Sequence, residues 1–292
     1  MSYGISPPAY RLPAETRLGA VRLQVSDLER SLDYYQQVLG LHVVARNRMH
    51  ASLGLAGGSR ALVHLRTSPG TRSAPRSRRL GLYHFALLLP NRQSLGRLLR
   101  HLGEIGAHVA SADHAVSEAL YLWDPDGLGI EVYVDRPHEL WRAHGREIFM
   151  TTERLDLAGL VMAGGEERWG GMPEGTTLGH MHLHVGDLAT AEAFYHAALG
   201  FDKTVWNFPG ALFLSAGGYH HHLGTNTWAA GAEPAHEDEA RLLEWEIMVP
   251  SAADRDAAAR SCDAAGYVAV AEGESRVVSD PWSTTLRLVC EP

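Results

Sequence analysis

Histidines cluster at two places in this sequence, in a pattern suited to metal ligation and proton transfer. His180, His182 and His184 alternate with apolar residues in a segment that is predicted to be a β-strand, so the three imidazoles should share one face. A second cluster, His220-His221-His222, occurs in a later segment that is also predicted to be a strand. Imidazole binds transition metals and has a pKa near neutrality, which suits acid–base catalysis. The two clusters therefore indicate a functional site.

The elements that must position these residues belong to an internal repeat with an offset of 160 residues. Identical residues at this offset are Asp27 and Asp187, Tyr35 and Tyr195, Gly40 and Gly200, Gly57 and Gly217, Pro90 and Pro250, and Gly106 and Gly266. The repeat predicts four modules, at residues 17–67, 80–136, 177–228 and 241–291. Each module has the pattern of a strand, a helix and further strands. In the third module, Asp187 is the predicted N-cap and Gly200 ends the helix.

Residues 137–176 do not follow the repeat and are interpreted as a connector, with a helix near residues 152–163 and a glycine-rich stretch after it. On this basis, the chain is predicted to form two domains, at residues 17–136 and 177–292. A chain of 292 residues is long enough for two domains that each have a core.

Composition excludes several classes of protein. With 45% hydrophobic and 21% charged residues, the chain is typical of globular proteins. It has no apolar run of membrane-spanning length and no signal-peptide pattern, so the cytoplasm is the expected location. A net charge of −8 argues against nucleic-acid binding, and the basic run at residues 72–79 is interpreted as a solvated loop. Cys262 and Cys290 lack metal-ligand spacing and are predicted to be buried thiols.

The repeat separates residues that the fold needs from residues that a site needs. At five positions where modules two and three have a candidate histidine or glutamate, the matching residue of module one or four is different. The corresponding pairs are His180 and Ala20, His84 and Glu244, Glu131 and Arg287, His220 and Arg60, and His222 and Leu62. Glu131 also lies between apolar residues, and a buried carboxylate needs a partner, which a divalent metal would supply. Modules two and three are therefore predicted to share one site, and modules one and four to form a second, emptier cup.

Three segments of modules two and three resemble the vicinal oxygen chelate superfamily of glyoxalases, bleomycin-resistance proteins and extradiol dioxygenases. They are residues 81–86 (GLYHFA), 113–121 (DHAVSEALY) and 215–222 (SAGGYHHH). Within that superfamily, the chain looks like the two-domain bacterial catechol 2,3-dioxygenase-like group. The resemblance implies an α+β fold of four βαβββ modules that form two cupped, barrel-like mixed sheets.

The resemblance also implies a cofactor, Fe(II), held by His84, Glu131 and His180, with Mn(II) or another divalent metal as an alternative. Two histidines and one carboxylate leave open positions on the metal for a chelated diol and O2. Well-known extradiol enzymes hold the metal in modules three and four, whereas the residues of this chain predict a site across modules two and three.

Three catalytic residues follow from the same resemblance. His222 matches the acid–base histidine near O2, while His114 and Tyr121 are expected to stabilise the substrate oxygens. His221 is an alternative to His222; strand alternation favours His222 because it would share a face with His220.

The favoured function is O2-dependent ring cleavage of a catechol or a related vicinal diol. The partners would be the aromatic diol and O2, without nucleic acid or membrane, and a homo-oligomer is left open. Trp206 and Phe208 are expected to wall the substrate pocket. Two alternatives remain: a metal-dependent isomerase or lyase of the glyoxalase type, which would need a second carboxylate, and a metal-free binding protein of the drug-sequestering kind.

Overall fold

Each of the four modules consists of a strand, a helical segment and three further strands in the computed structural model, which describes residues 3–75 and 79–291. The first module comprises β1 (Arg17–Gln24), α1 (Leu28–Gln37), β2 (His42–Arg46), β3 (His50–Gly54) and β4 (Ala61–Arg66). The second comprises β5 (Gly81–Leu88), α2 (Arg92–Glu104), β6 (Ala110–Asp113), β7 (Ser117–Trp123) and β8 (Gly129–Asp135). The connector contains a 3-10 turn (His138–Leu140), β9 (Ala143–His144), β10 (Glu147–Ile148) and α3 (Leu157–Ala163).

The second half of the chain repeats this order. The third module comprises β11 (Thr177–His184), α4 (Leu188–Ala191) with a π-helical continuation (Glu192–Ala198), β12 (Asp202–Val205), β13 (Ala211–Ser215) and β14 (Leu223–Asn226). The fourth comprises β15 (Arg241–Val249), α5 (Ala252–Ala264), β16 (Val270–Glu272), β17 (Ser275–Ser279) and β18 (Thr285–Cys290).

In the described residues, sixteen strands form two eight-stranded mixed sheets, β9 and β10 pair with each other in the connector, and the predicted α+β fold is confirmed. One sheet has the order β16-β17-β18-β15-β1-β4-β3-β2, and the other has the order β12-β13-β14-β11-β5-β8-β7-β6. Each sheet therefore takes its strands from both halves of the chain. At the centre of each, the first strands of two modules pair antiparallel, β1 with β15 and β5 with β11. The division into domains at residues 17–136 and 177–292 stays a prediction.

The residues that repeat at the offset of 160 cap helices and fill the core. The side chains of Asp27 and Asp187 accept backbone hydrogen bonds at the starts of α1 and α4, as the sequence predicts. Tyr35 is fully buried, and its hydroxyl donates to the carboxylate of Asp124, which lies in the second module. Its counterpart Tyr195 donates in the same way to Asp280, in the fourth module. These hydrogen bonds join the first module to the second and the third module to the fourth.

The connector differs from the sequence prediction. Its helix starts at Leu157, because the side chain of Asp156 accepts a hydrogen bond from the backbone of Gly159 and caps the helix there. A start near residue 152 is wrong, since Glu153 forms a β-bridge with Asp113 instead. In the basic run at residues 72–79, the part 76–78 lies outside the described residues.

The two cysteines differ in burial. Cys262 is buried, and burial raises the pKa of its thiol to about 12, whereas Cys290 is only half-buried. The prediction that both thiols are buried is therefore wrong for Cys290. Within the described parts of the chain, none of the helices has both the length and the apolar character needed to cross a membrane.

Candidate metal centre and substrate cavity

Three neighbouring strands of the second sheet bring His180, Glu131 and His84 together. The Cα atom of Ala86 on β5 pairs with His180 on β11 on one side and with Glu131 on β8 on the other. His180 and Glu131 therefore lie at one level of the sheet, separated by the small side chain of Ala86. His84 lies two residues before Ala86 on β5, so it projects from the same face.

The side chains of these three residues converge on one buried point. Nε2 of His84 lies 2.9 Å from Oε2 of Glu131, and Nε2 of His180 lies 3.2 Å from the same oxygen. One potential ligand atom from each residue lies within 4.8 Å of the others, which is close enough for all three to hold one metal ion. All three residues are buried.

The charges of the cluster keep the glutamate ionised. Burial by itself would raise the pKa of Glu131, but the neighbouring His180 and His84 lower this pKa well below its usual range. Burial lowers the pKa of His84, an effect that Glu131 opposes. A buried carboxylate beside two imidazoles is thus an anionic donor set for a cation.

The donor set fits a divalent transition metal. Two histidines and one carboxylate are the ligand set that non-haem Fe(II) enzymes use, and a metal held by these three residues would keep positions for other ligands. Although Nε2 of His84 is close to Glu131, it makes no hydrogen bond of acceptable geometry within the described chain. A buried nitrogen that approaches a carboxylate without such a bond is consistent with two ligands directed at a common ion.

A cavity of about 230 Å³ opens next to this cluster. Its lining is mostly aromatic and aliphatic, which suits an aromatic ligand. The residues that line it include His84, Glu131, His180, His114, Tyr121, His182, His221, Tyr83, Phe208, Phe213 and Trp228.

Tyr121 and His114 lie together on one side of the cavity. Nε2 of His114 is 2.6 Å from the hydroxyl of Tyr121, and its Nδ1 is 2.6 Å from the carbonyl oxygen of Thr151. A tight turn with Ala115 in the left-handed region, at φ 67°, returns the chain from β6 to β7 and brings the two side chains together. Burial and the charge of Glu131 raise the pKa of Tyr121 well above its usual value, so its hydroxyl stays protonated.

His221, and not His222, lines the cavity. Residues 216–222 form a bend between β13 and β14, so strand alternation does not apply to the histidine cluster. The ring of His221 lies 4.2 Å from that of His180, measured between centroids. Nδ1 of His222 instead accepts a backbone hydrogen bond from Ala216, and burial lowers the pKa of His222 to about 3.

A chain of hydrogen bonds orients His221. Nε2 of His220 lies 2.8 Å from Oδ1 of Asp135, and Nδ1 of His220 lies 2.7 Å from Nδ1 of His221. Because the Asp135 carboxylate can only accept, Nε2 of a neutral His220 donates to it, and its Nδ1 accepts the Nδ1–H of His221. In the neutral state, Nε2 of His221 is then the nitrogen that can accept a proton. Sequence reasoning missed Asp135, which has no counterpart in the motifs.

The other cavity walls are partly those expected. Phe208 lines the cavity, but Trp206 does not, and the backbone N–H of Trp206 donates to the carboxylate of Glu147 in the connector. Trp228 and Tyr83 supply aromatic surface that the sequence did not single out. A signal was available for Tyr83, since it adjoins His84 in the motif of residues 81–86.

The corresponding positions of the first sheet hold paired charges. Oε2 of Glu244 lies 2.9 Å from Nη2 of Arg287, and its Oε1 lies 3.1 Å from Nε of Arg22. Burial would raise the pKa of Glu244, but Arg287 and Arg22 lower it. Arginines thus neutralise the carboxylate here, where imidazoles surround Glu131 in the second sheet.

A sequence model of the Glyoxalase/Bleomycin resistance protein/Dioxygenase superfamily matches residues 17–132 and 177–282. The chain is 44% identical over 273 residues to the catechol-2,3-dioxygenase of Bacillus subtilis, covering 92% of this chain and 95% of that protein.

Two solved structures share the fold at low sequence identity. Glyoxalase I from Zea mays has a TM-score of 0.58 and 17% identity, over 94% of this chain and 92% of that chain. A further structure, from Bacillus subtilis, has a TM-score of 0.66 and 13% identity, over 97% of this chain and 87% of that chain.

Proposed function

We propose a specific reaction for this chain, which belongs to the glyoxalase/bleomycin resistance protein/dioxygenase superfamily: Fe(II)-dependent extradiol cleavage of a catechol or a related vicinal diol by O2. The predicted family and the predicted enzyme class, a catechol 2,3-dioxygenase-like extradiol dioxygenase, are confirmed by the relative that is 44% identical. The metal, the substrate and the residue roles are the proposal. A role in the degradation of aromatic compounds would follow from it.

One observation carries the proposal: His84, Glu131 and His180 converge beside a mostly apolar cavity whose walls also hold Tyr121 and His221. The three converging residues would hold the metal. When bound, Fe(II) supplies the Lewis-acid and redox chemistry by which a chelated diol reacts with O2.

The protein's own groups would handle the protons. Nε2 of His221 would accept a proton from the diol and return it later. The hydrogen bonds from Asp135 through His220 leave this nitrogen free to do so, because they hold the proton of His221 on Nδ1. The hydroxyl of Tyr121, hydrogen-bonded to His114, would orient a substrate oxygen on the other side of the site.

The apolar walls would position the ring and exclude water. Phe208, Phe213 and Trp228 present flat aromatic surfaces to the cavity. Exclusion of water strengthens the hydrogen bonds that these few polar groups make to a substrate.

The test is purification without oxygen, loading with Fe(II) and addition of catechol and O2, with formation of the yellow ring-opened product as the readout. Metal content is measured on the same samples. Cleavage by the loaded wild type and loss of both metal and cleavage in Glu131→Gln would support the proposal. A fully loaded wild type that cleaves neither catechol nor its methyl derivatives would refute it. Location in the cytoplasm stays a prediction.

A further inference from the structure

His182 is a buried histidine of the cavity wall that the proposed reaction does not use. It lies on β11 two residues after His180, so both side chains project from the same face. Its Cα atom pairs with that of His84 on β5, and the two rings are 5.0 Å apart between centroids. His182 therefore adjoins two of the proposed metal ligands without belonging to the converging set of donors.

The neighbours of His182 hold its ring in place. The ring packs edge to face against Tyr83 and Phe213, at centroid distances of 5.1 and 5.7 Å, and contacts Trp228 at 5.6 Å. On its other side, a Cβ atom added to Gly224 would lie 3.0 Å from the ring. The imidazole is thus clamped between aromatic rings and a glycine.

One nitrogen of this clamped ring is unsatisfied. His182 is only 5% exposed, and its Nε2 is buried without a hydrogen-bond partner within the described chain. Two other residues of the cavity lining have such a nitrogen, and these are the proposed ligands His84 and His180. Because an unsatisfied buried polar atom is costly, a ligand is the expected partner of His182.

We propose that Nε2 of His182 hydrogen-bonds the bound aromatic diol and thereby sets the orientation of its ring. This inference rests on the proposed function. In the order of strands, His182 on β11 and Tyr121 on β7 lie on opposite sides of β5, which carries His84. A diol beside the metal would be contacted by Tyr121 from one side and by His182 from the other.

The central variant is His182→Phe, which keeps a flat, slightly larger ring between the aromatic neighbours and removes the hydrogen-bonding nitrogens. On metal-loaded protein, affinity for catechol should fall while thermal stability should not. The Kd for catechol, measured by calorimetry without O2, should rise at least tenfold, while Tm should stay the same or rise because the unsatisfied nitrogen is gone. Metal content should be unchanged.

The chain offers a matched control and a second variant. His184→Phe changes the next histidine on the same face, whose Nδ1 lies 2.7 Å from Oδ1 of Asn226 and which does not line the cavity. This control should lower Tm and leave the Kd unchanged. Gly224→Ala should displace the His182 ring without altering its chemistry, and it should raise the Kd by a smaller factor than His182→Phe does.

The outcomes distinguish this inference from the proposed function. A wild type that binds and cleaves catechol, together with a His182→Phe variant whose Kd stays within twofold of it, overturns the role of His182 alone. Loss of metal from His182→Phe also overturns it, since the residue would then be a ligand. A loaded wild type that neither binds nor cleaves catechol overturns both. A Kd raised at least tenfold, with unchanged metal content and a Tm that stays the same or rises, supports the role of His182.

Discussion

The hydroxyl of Tyr121 donates to Nε2 of His114 across 2.6 Å, and this hydrogen bond links the candidate site to the connector through the carbonyl of Thr151. A carbonyl only accepts hydrogen bonds, so Nδ1 of His114 carries the proton and Nε2 of the neutral ring accepts from Tyr121. The connector, which lies outside the repeat, therefore fixes the tautomer of His114, a residue of the second module.

Replacement of Tyr121 tests this pair. We expect Tyr121→Phe to keep its metal, to lower kcat/KM for catechol by about tenfold to a hundredfold and to raise KM, because one oriented hydrogen bond to the substrate is lost. Steady-state kinetics with metal analysis of the same samples would check this. Unchanged kinetics would make Tyr121 a structural residue.

The metal centre can be tested with two equivalent substitutions. Glu131→Gln should lose nearly all metal binding, since the anionic donor is removed from the buried site. Glu244→Gln, at a charged position of the other sheet, should keep the metal but unfold at a lower temperature, because Arg287 and Arg22 lose their partner. Metal content after anaerobic purification is the measurement. Equal metal loss in both variants would contradict the assignment.

Separate substitutions of the adjacent residues His221 and His222 test which of the two transfers protons. His221→Ala should keep the metal and lower turnover about a hundredfold or more, as expected for an acid–base group. His222→Ala should keep both metal and most turnover, and its main effect should be a lower Tm, because Ala216 and Ser215 lose a buried partner. The opposite ranking of turnover would restore His222 as the acid–base residue.

Stability should depend on pH through Asp124. Burial raises its pKa from 3.8 to about 7, so the folded state favours the protonated carboxyl. The free energy of unfolding therefore contains the full stabilisation below about pH 4. Between about pH 4 and pH 7 it falls by on the order of 1.4 kcal/mol per pH unit, and above pH 7 the stabilisation is lost.

Asp124→Asn isolates this effect, because the amide oxygen can still accept from the backbone of Asp126 and Leu128. Denaturant unfolding between pH 4 and 8 should show a smaller loss of stability in the variant than in the wild type. Parallel curves for the two proteins would rule out Asp124 as the source.

Much of the fold could be predicted because its determinants are local. Asp27 and Asp187 cap their helices through backbone groups three residues away, and alternation within β11 places His180 and His182 on one face. Comparison of the copies then identified His84 and Glu131 as residues that the fold does not need. Caps and alternation depend on neighbours in sequence. Together with the internal repeat and the family resemblance, they were enough to predict the α+β modules and the candidate ligands.

Only the tertiary structure decided which side chains meet. The bend at residues 216–222 breaks the alternation that favoured His222 and turns His221 to the cavity, where Asp135 from another module orients it through His220. Likewise, the pairing of β5 with β11 sets His182 beside His84. Strand pairing and irregular turns are governed by contacts between residues far apart in sequence, so local spacing could not specify them.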